Sequence, residues 1–323
     1  MESPDISVVI TTLDRLDELE RCIAALIAQD FPAERFEIVV ADAADESAVR
    51  QVAGRWAMLT RGAPLIRYVA AGAAHGPAGA RNLGWRAAKG EVIAFTNDAS
   101  VPRANWLTEG WKAMSNGAIA AAGVVVANAQ GAAREVELDV RHAGGPNIAA
   151  ANCFVQRQSL RAVGGFDERF TSSWDDARDL QFTLAEVSGE MVAAPEAIVE
   201  RPEARGGWDA TLHQYRRILF DALLFKKHPR LYRERVRSSA PWSYYAIVAS
   251  LLVILAGALG RAPALAWAGL IAWTVLTAAL VVRRRRGTGQ GSFGEIVATS
   301  VAIPPIAVFW RLAGALRFRV FFL

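Results

Sequence analysis

The sequence predicts an α/β domain followed by a helical hairpin in a membrane. Two observations carry this. The first hundred residues alternate short β-branched runs with segments of helical periodicity, and residues 238–282 hold two long apolar runs separated by one charge. The charge distribution supports the same division. Residues 213–323 carry 16 Lys/Arg against three acids, a net of +13, and residues 1–212 carry 20 basic against 29 acidic residues, a net of −9. The formal net of +4 is thus the average of two unlike parts.

Composition excludes several classes. At 53% hydrophobic and 21% charged, the chain is too apolar for a disordered protein. Two cysteines, Cys22 and Cys153, cannot build a disulfide scaffold, and no Cys/His group has zinc spacing. A mean hydropathy of +0.19 points to membrane segments.

In the front half, residues 6–11 (ISVVIT), 36–41 (FEIVVA), 65–69 (LIRYV) and 91–96 (EVIAFT) read as buried strands. Residues 16–29, 47–59 and 78–89 read as the intervening helices; the first places Leu16, Leu19, Ile23, Leu26 and Ile27 at helical spacing. Such alternation argues a mostly parallel sheet covered on both faces. Sheets of this kind bind ligands at the carboxyl ends of their strands, here residues 11–15, 42–47 and 97–101. Each of these loops carries an acid: Asp14, Asp42 and Asp98. Acids gathered there suit a ribose, a base edge or a metal-bound diphosphate. Asp14 and Asp98 suit helix capping equally well.

In the back half, residues 238–260 and 262–282 form charge-free runs of 23 and 21 residues. About 20 apolar residues cross a bilayer as a helix. The short turn GRAP makes the two spans a tight hairpin, and Trp242, Tyr244 and Tyr245 sit where amphipathic rings favour the interface. Basic residues precede the first span (KKHPRLYRERVR) and follow the second (RRRR at 283–286). Both flanks should be cytoplasmic by the positive-inside rule, which puts the front half in the cytosol at a bacterial-type plasma membrane. Unpaired cysteines suit that compartment. Residues 213–237, with eight Lys/Arg and two acids among apolar residues, suit a helix on an anionic lipid surface. Their place beside a span favours lipid over nucleic acid. The last apolar stretch, 296–310, has only 15 residues and contains Pro304 and Pro305, which argues an interfacial or re-entrant helix rather than a span. The expected parts are therefore 1–210, an arm at 211–237, two spans within 238–282, and a basic loop with an interfacial helix at 283–323.

Five segments resemble the inverting glycosyltransferases of family 2. ISVVITTLDR resembles their opening strand and loop, and FPAERFEIVVAD their second strand with its nucleobase aspartate. HGPAGARNLGWRAAKGEVIAFTNDASVPRANWL resembles their Gly-x-Ala-x-Ala-Arg-Asn helix, next strand and metal loop. NIAAANCFVQRQSLRAVGGFDERF resembles the acceptor-side segment, and DDARDLQFTLAEVSG the acidic helix that supplies the base. The resemblance implies a GT-A fold, a nucleotide-diphospho-sugar donor and single-displacement inversion. It places Thr11, Thr12, Asp14, Arg15, Asp42, Arg81, Asn97 and Asp98 on the nucleotide. It places His142, Gly165, Asp167 and Trp174 on the acceptor side, where a loop histidine, a tight turn, a local cap and a packed ring are the plainer readings.

The sequence departs from the family pattern at three acidic positions. The metal loop, usually Asp-x-Asp, reads Asn97-Asp98-Ala99, so Asp98 is the one carboxylate left for Mg²⁺ or Mn²⁺ and a metal is doubtful. The second strand ends Asp42-Ala43 in place of Asp-Asp. Counting back from Asp179-Leu180 puts the family's base on Ala177; a one-residue slip aligns Asp175-Asp176 with the acidic pair and makes Asp176 the base. Two functions follow. One is sugar transfer to a membrane-associated acceptor, such as a polyprenyl-linked glycan or a cell-envelope lipid or polysaccharide. The other is a catalytically silent membrane scaffold that binds a nucleotide or a partner transferase.

Overall fold

A computed structural model of the chain describes residues 3–13, 15–70, 76–129, 132–134, 148–171, 175–187, 189–202, 215–288 and 293–321. The chain forms two compact units, Met1–Ala204 and Arg205–Leu323.

The first unit begins with the expected alternation: β1 (Ile6–Thr12), α1 (Leu16–Ile27), β2 (Phe36–Asp42), α2 (Ser47–Thr60), β3 (Leu65–Ala70), α3 (Gly76–Ala87) and β4 (Val92–Asn97). These four strands are parallel in the order β3-β2-β1-β4. Strand residues alternate between two cores, because successive side chains point to opposite faces. Val8, Ile10, Ile38 and Val40 pack with Leu19, Ile23 and Val49 of α1 and α2. Val9, Val39 and Ala41 pack with Ala80 and Trp85 of α3. Both faces are covered, which is why β1 and β2 are buried along their whole length. The register aligns Thr12 with Asp42 and Thr11 with Asn97, bringing the three loops to one edge.

The other half makes the sheet mixed, as the GT-A resemblance implies. It contains β5 (Val101–Pro102), β6 (Ala120–Ala129), β7 (Ala132–Arg134), β8 (Cys153–Gln156) and β9 (Met191–Pro202), with α4 (Trp106–Met114), α5 (Arg157–Val163) and α6 (Asp175–Glu186) between them. β8 lies antiparallel between β4 and β6, and β9 runs parallel to β6 and antiparallel to β5. The β6–β9 register shifts after Gly123. Asn152 fills this irregularity: its Nδ2 donates to the carbonyls of Val124 and Ala197, both at 2.8 Å, and its Oδ1 accepts from Trp106 Nε1 at 2.8 Å. A buried amide with its partners supplied stabilises the bulge rather than burdening it.

A buried acid secures the opposite, amino edge of the parallel strands. Glu37 Oε1 accepts from Ser7 Oγ and Lys89 N, each at 2.6 Å, and Oε2 accepts from Arg67 Nη2 at 2.6 Å. Ser7 Oγ in turn accepts from Gly90 N at 2.7 Å. β1, β2, β3 and the end of α3 thus share one carboxylate.

The second unit is helical: α7 (Ile218–Lys227), α8 (Pro229–Arg235), α9 (Trp242–Leu259), α10 (Pro263–Thr288) and α11 (Phe293–Phe318). The basic arm is two helices, broken at His228-Pro229 because proline starts a helix well and continues one badly. α9 and α10 approach almost backbone to backbone. A Cβ added at Gly257 would come within 2.5 Å of Ala266 N, and one at Gly269 within 2.9 Å of Ile254 N. Small residues allow such contact between helices in lipid. Outward faces carry Leu252, Leu255, Trp267, Ile271 and Val275, all exposed.

Among the described residues, three helices are long and apolar enough to cross a membrane: Trp242–Leu259, Pro263–Arg286 and Phe293–Phe318. The third differs from the short stretch expected at 296–310. It runs 26 residues through both prolines. Proline removes the amide donors at two positions, and helices in apolar surroundings tolerate this where neighbouring groups take up the freed carbonyls.

Replacing Glu37 by alanine would take the acceptor from Ser7 Oγ and Lys89 N and the counter-ion from Arg67. The Glu37→Ala variant is expected to lose about 3 kcal/mol of stability, measured by denaturant unfolding of the full chain in detergent.

Candidate active site

The carboxyl edge of β1, β2 and β4 gathers most of the expected nucleotide residues, but their side chains are turned inward. Asp98, directly after β4, is 7% exposed. Its Oδ2 accepts from Thr12 Oγ1 at 2.9 Å and Leu13 N at 3.2 Å, and its Oδ1 accepts from Ala99 N at 2.8 Å. Burial raises its pKa, and these hydrogen bonds and the Arg15 charge pull the other way. Asp98 is therefore neither an open ligand nor a helix cap; it staples the end of β1 to the end of β4. Thr11 reaches the Thr96 carbonyl at 3.4 Å, and Asn97 Oδ1 accepts from Ser100 Oγ at 2.7 Å. Arg15 is exposed and pairs with Glu18 at 3.1 Å.

Asp42 is fully buried. Its Oδ1 accepts from Ala44 N at 2.9 Å, and its Oδ2 accepts from Glu46 N at 2.6 Å and lies 3.0 Å from the Tyr68 hydroxyl. Its carboxylate shapes the loop into α2, where backbone amides at a helix start favour negative charge. Asp14, His142 and Trp174 lie outside the described residues.

Gly165 and Asp167, expected on the acceptor side, belong to a second cluster on the α3 face. Arg81, expected on the nucleotide, instead meets Asp176, the candidate base at the start of α6. Arg81 is 2% exposed and Asp176 fully buried. The guanidinium also stands 5.4 Å from the centre of the Phe166 ring, and among the described residues its Nε has no hydrogen-bond partner. Asp176 Oδ1 accepts from Ala177 N at 2.7 Å. Burial pushes the Asp176 carboxyl up to about 6, against the pull of Arg81 and Ala177 N. Asp175 is buried beside it. Cys153 of β8 lies near the pair, and burial pushes its thiol up to about 12, so it presents no thiolate.

Sequence reasoning passed over Asn82, although it neighbours Arg81 in the quoted motif. Asn82 holds the Gly-Gly-Phe-Asp-Glu loop with its whole amide. Nδ2 donates to Phe166 O and Glu168 Oε1, both at 2.8 Å, and Oδ1 accepts from Phe166 N at 2.9 Å and Trp85 Nε1 at 3.0 Å. Gly165 is required there: its φ is +83°, and an added Cβ would meet Asn82 Oδ1 at 2.5 Å. Asp167 is bound locally, accepting from Arg169 N at 3.0 Å and Arg169 Nη2 at 2.6 Å.

Residues 7–158 match the model for Glycosyl transferase family 2. The domain that these residues form belongs to this family. Glycosyltransferase AglE of Haloferax volcanii is 22% identical over 112 residues, 35% of this chain and 36% of that protein, so the match spans about a third of the relative's length. Among solved structures, the mannosyltransferase PcManGT from Pyrobaculum calidifontis, in complex with GDP-Man and Mn²⁺, superposes with a TM-score of 0.60 at 19% identity, over 98% of this chain and 87% of that one. S. aureus TarS 1-349 in complex with UDP-GlcNAc gives 0.53 at 13% identity, over 99% and 93%. These likenesses show the GT-A fold.

Family 2 transferases of this fold imply a divalent metal at the loop after β4. Among the described residues, those at this loop are a poor set of ligands for one. Both Asp98 oxygens are engaged by the protein, Asn97 offers a neutral oxygen already bonded to Ser100, and Ala99 offers no ligand. Among the described residues no group of three His, Cys, Asp or Glu converges as a metal site.

The Arg81–Asp176 pair carries a direct consequence. Asp176→Ala leaves a buried guanidinium without its carboxylate and is expected to cost about 3–5 kcal/mol. The double variant Arg81→Met/Asp176→Leu is expected to regain most of that. Thermal unfolding of the three proteins checks both.

Proposed function

We propose that this family 2 member is an active inverting transferase that moves a sugar from a nucleoside-diphosphate donor to a membrane-associated acceptor. The observation that carries this reading is the Asp176 carboxyl. It heads the helix to which the family resemblance assigns the base, and burial pushes its carboxyl up to about 6, which suits a base that is ionised at neutral pH and still able to take a proton. Since it is fully buried and held by Arg81 and Ala177 N, the acceptor must uncover it on binding. In the reaction, the acceptor hydroxyl attacks the anomeric carbon from the face opposite the leaving group. Its proton passes to Asp176, and the bond from the anomeric carbon to the diphosphate oxygen breaks. Arg81 orients the Asp176 carboxylate and favours its charged form. Thr11, Thr12, Arg15 and Asn97 edge the nucleotide position, with Asp42 and Asp98 holding that edge in shape. Donors with uracil or guanine are the first to test, since the structural neighbours hold UDP-GlcNAc and GDP-Man. The hairpin and basic arm support an acceptor presented at the cytoplasmic face of a membrane, a polyprenyl-linked glycan or an envelope lipid.

A second reading, the silent scaffold, is favoured by one observation: alanine stands at residues 99 and 177, both buried, where the family pattern puts acids.

Two measurements separate the readings. For an active enzyme, kcat/KM is expected to rise tenfold per pH unit below about 6 and level off above it, because Asp176 must be ionised to accept the proton. Asp176→Asn should lower the plateau by about 10²–10⁴. A flat profile, or an unaffected Asn variant, removes Asp176 as the base. In calorimetry, UDP or GDP is expected to bind with an affinity that changes less than about threefold between Mn²⁺ and a chelator, given the absent ligand set. Failure of every nucleoside diphosphate to bind removes both the enzyme and the nucleotide-binding scaffold.

A further inference from the structure

Helix α11 has the length to cross a bilayer, about 39 Å for its 26 residues. The attachments along it point elsewhere. Near its start, Arg284 of α10 donates through Nη1 to Thr299 Oγ1 at 2.9 Å and Ser300 Oγ at 3.2 Å. Arg284 stands beyond the apolar run of α10, among the basic residues that follow the second span. Towards its end, α11 lies on the basic arm. A Cβ added at Gly314 would come within 2.5 Å of Leu219 O, Lys226 Nζ donates to Phe318 O at 2.8 Å, and the Phe220 and Phe318 rings are 6.2 Å apart. Between these points Arg216 stands 5.6 Å from the Trp310 ring centre, and buried Arg311 lies against the Tyr232 hydroxyl.

Leu219, Lys226 and Tyr232 precede the first span, and Arg284 follows the second. The two flanks of a two-span hairpin share one side of the membrane. A helix bonded to one flank by its first turns and to the other by its last turns starts and finishes on that side. Were α11 to cross, its last turn would stand beside the hairpin turn at 260–262, about 30 Å of hydrocarbon away from the arm.

The faces of α11 agree. Ile296, Ile303, Ala307, Arg311 and Gly314 form its buried stripe, while Val301, Phe309, Leu312 and Leu316 form an exposed apolar ridge on the other side. The arm beside it carries eight Lys/Arg between residues 213 and 237. An apolar ridge next to a dense cationic rim is complementary to an anionic leaflet and to little else.

We propose that α11 does not cross the membrane but lies along the leaflet on the side of the basic arm. Its ridge enters the acyl chains, and the arm's cations meet anionic headgroups. This rests on the hairpin crossing the bilayer and is independent of the sugar-transfer chemistry.

The test uses the full chain with Cys22→Ala and Cys153→Ala. In bacterial cells, a green fluorescent protein fused after Leu323 reports the side of the C-terminus, since it fluoresces only in the cytoplasm. Ala262→Cys, labelled with an impermeant maleimide, reports the side of the hairpin turn. In vesicles of phosphatidylglycerol and phosphatidylcholine, nitroxides at Val301→Cys, Phe309→Cys and Leu316→Cys report depth from oxygen accessibility. The expected result is a fluorescent fusion, a turn labelled from outside, and three depths that agree within about 5 Å. A dark fusion with residues 301 and 316 separated in depth by a span approaching 22 Å, the rise of 15 helical residues, overturns the proposal. A turn labelled only from inside also overturns it, through the hairpin, and leaves the proposed reaction standing.

Discussion

A guanidinium and a carboxylate, both almost without water, hold the α3–α6 corner of the transferase domain together. Arg81 and Asp176 belong to α3 and α6, which are far apart in sequence and meet through this pair. Burying two ions costs several kcal/mol each, and only their mutual attraction and good hydrogen bonding offset that. Each constrains the other as a result: neither helix can shift without stranding a charge. Asn82, one residue on from Arg81, fastens the Gly-Gly-Phe-Asp-Glu loop to the same face, and Phe166 from that loop lies against the guanidinium. Helix, loop and candidate base therefore form one rigid corner. Its residues are specified jointly, since the amide of Asn82 and the φ of Gly165 each fit only the other.

The parallel half of the sheet was legible because burial on both faces writes unbroken runs such as ISVVIT and FEIVVA, with helical periodicity between them. The antiparallel half was not. β6 is a run of alanine, glycine and valine with no period, and β8 has four residues. These strands are specified by a distant side chain, Asn152, more than by their own pattern. The sequence singled out the positions of the candidate site and not the orientation of their side chains. Motif positions drew attention to Asp42, Asp98, Arg81 and Asp176, all of them buried, but whether a carboxylate points outward depends on which amides lie behind it. For Asp42 and Asp98 those are loop amides two to four residues, or one strand, away. In the helical unit, charge-free length marked the two helices α9 and α10. It made the last helix too short, because the two prolines that suggest a break lie within a continuous helix.

The unequal charge of the two units then has a local meaning. The positive excess sits on helices that pack along or flank apolar segments, and Arg216, Arg233 and Arg285 stack on aromatic rings there. Such stacking covers the apolar stem of arginine while its charge remains at the surface. The acidic unit keeps many of its carboxylates occupied by its own backbone and arginines.

The alanine at residue 99 reaches beyond the question of a metal. It is buried, and its backbone amide is committed to Asp98. Residue 177 is buried as well, with its amide committed to Asp176. In each place the methyl group is enclosed by an arrangement built around a neighbouring aspartate. A carboxylate returned to either position would enter without a counter-ion and would compete for the amide that the neighbour already holds. Placing an acid at either position therefore costs stability before it can supply any chemistry.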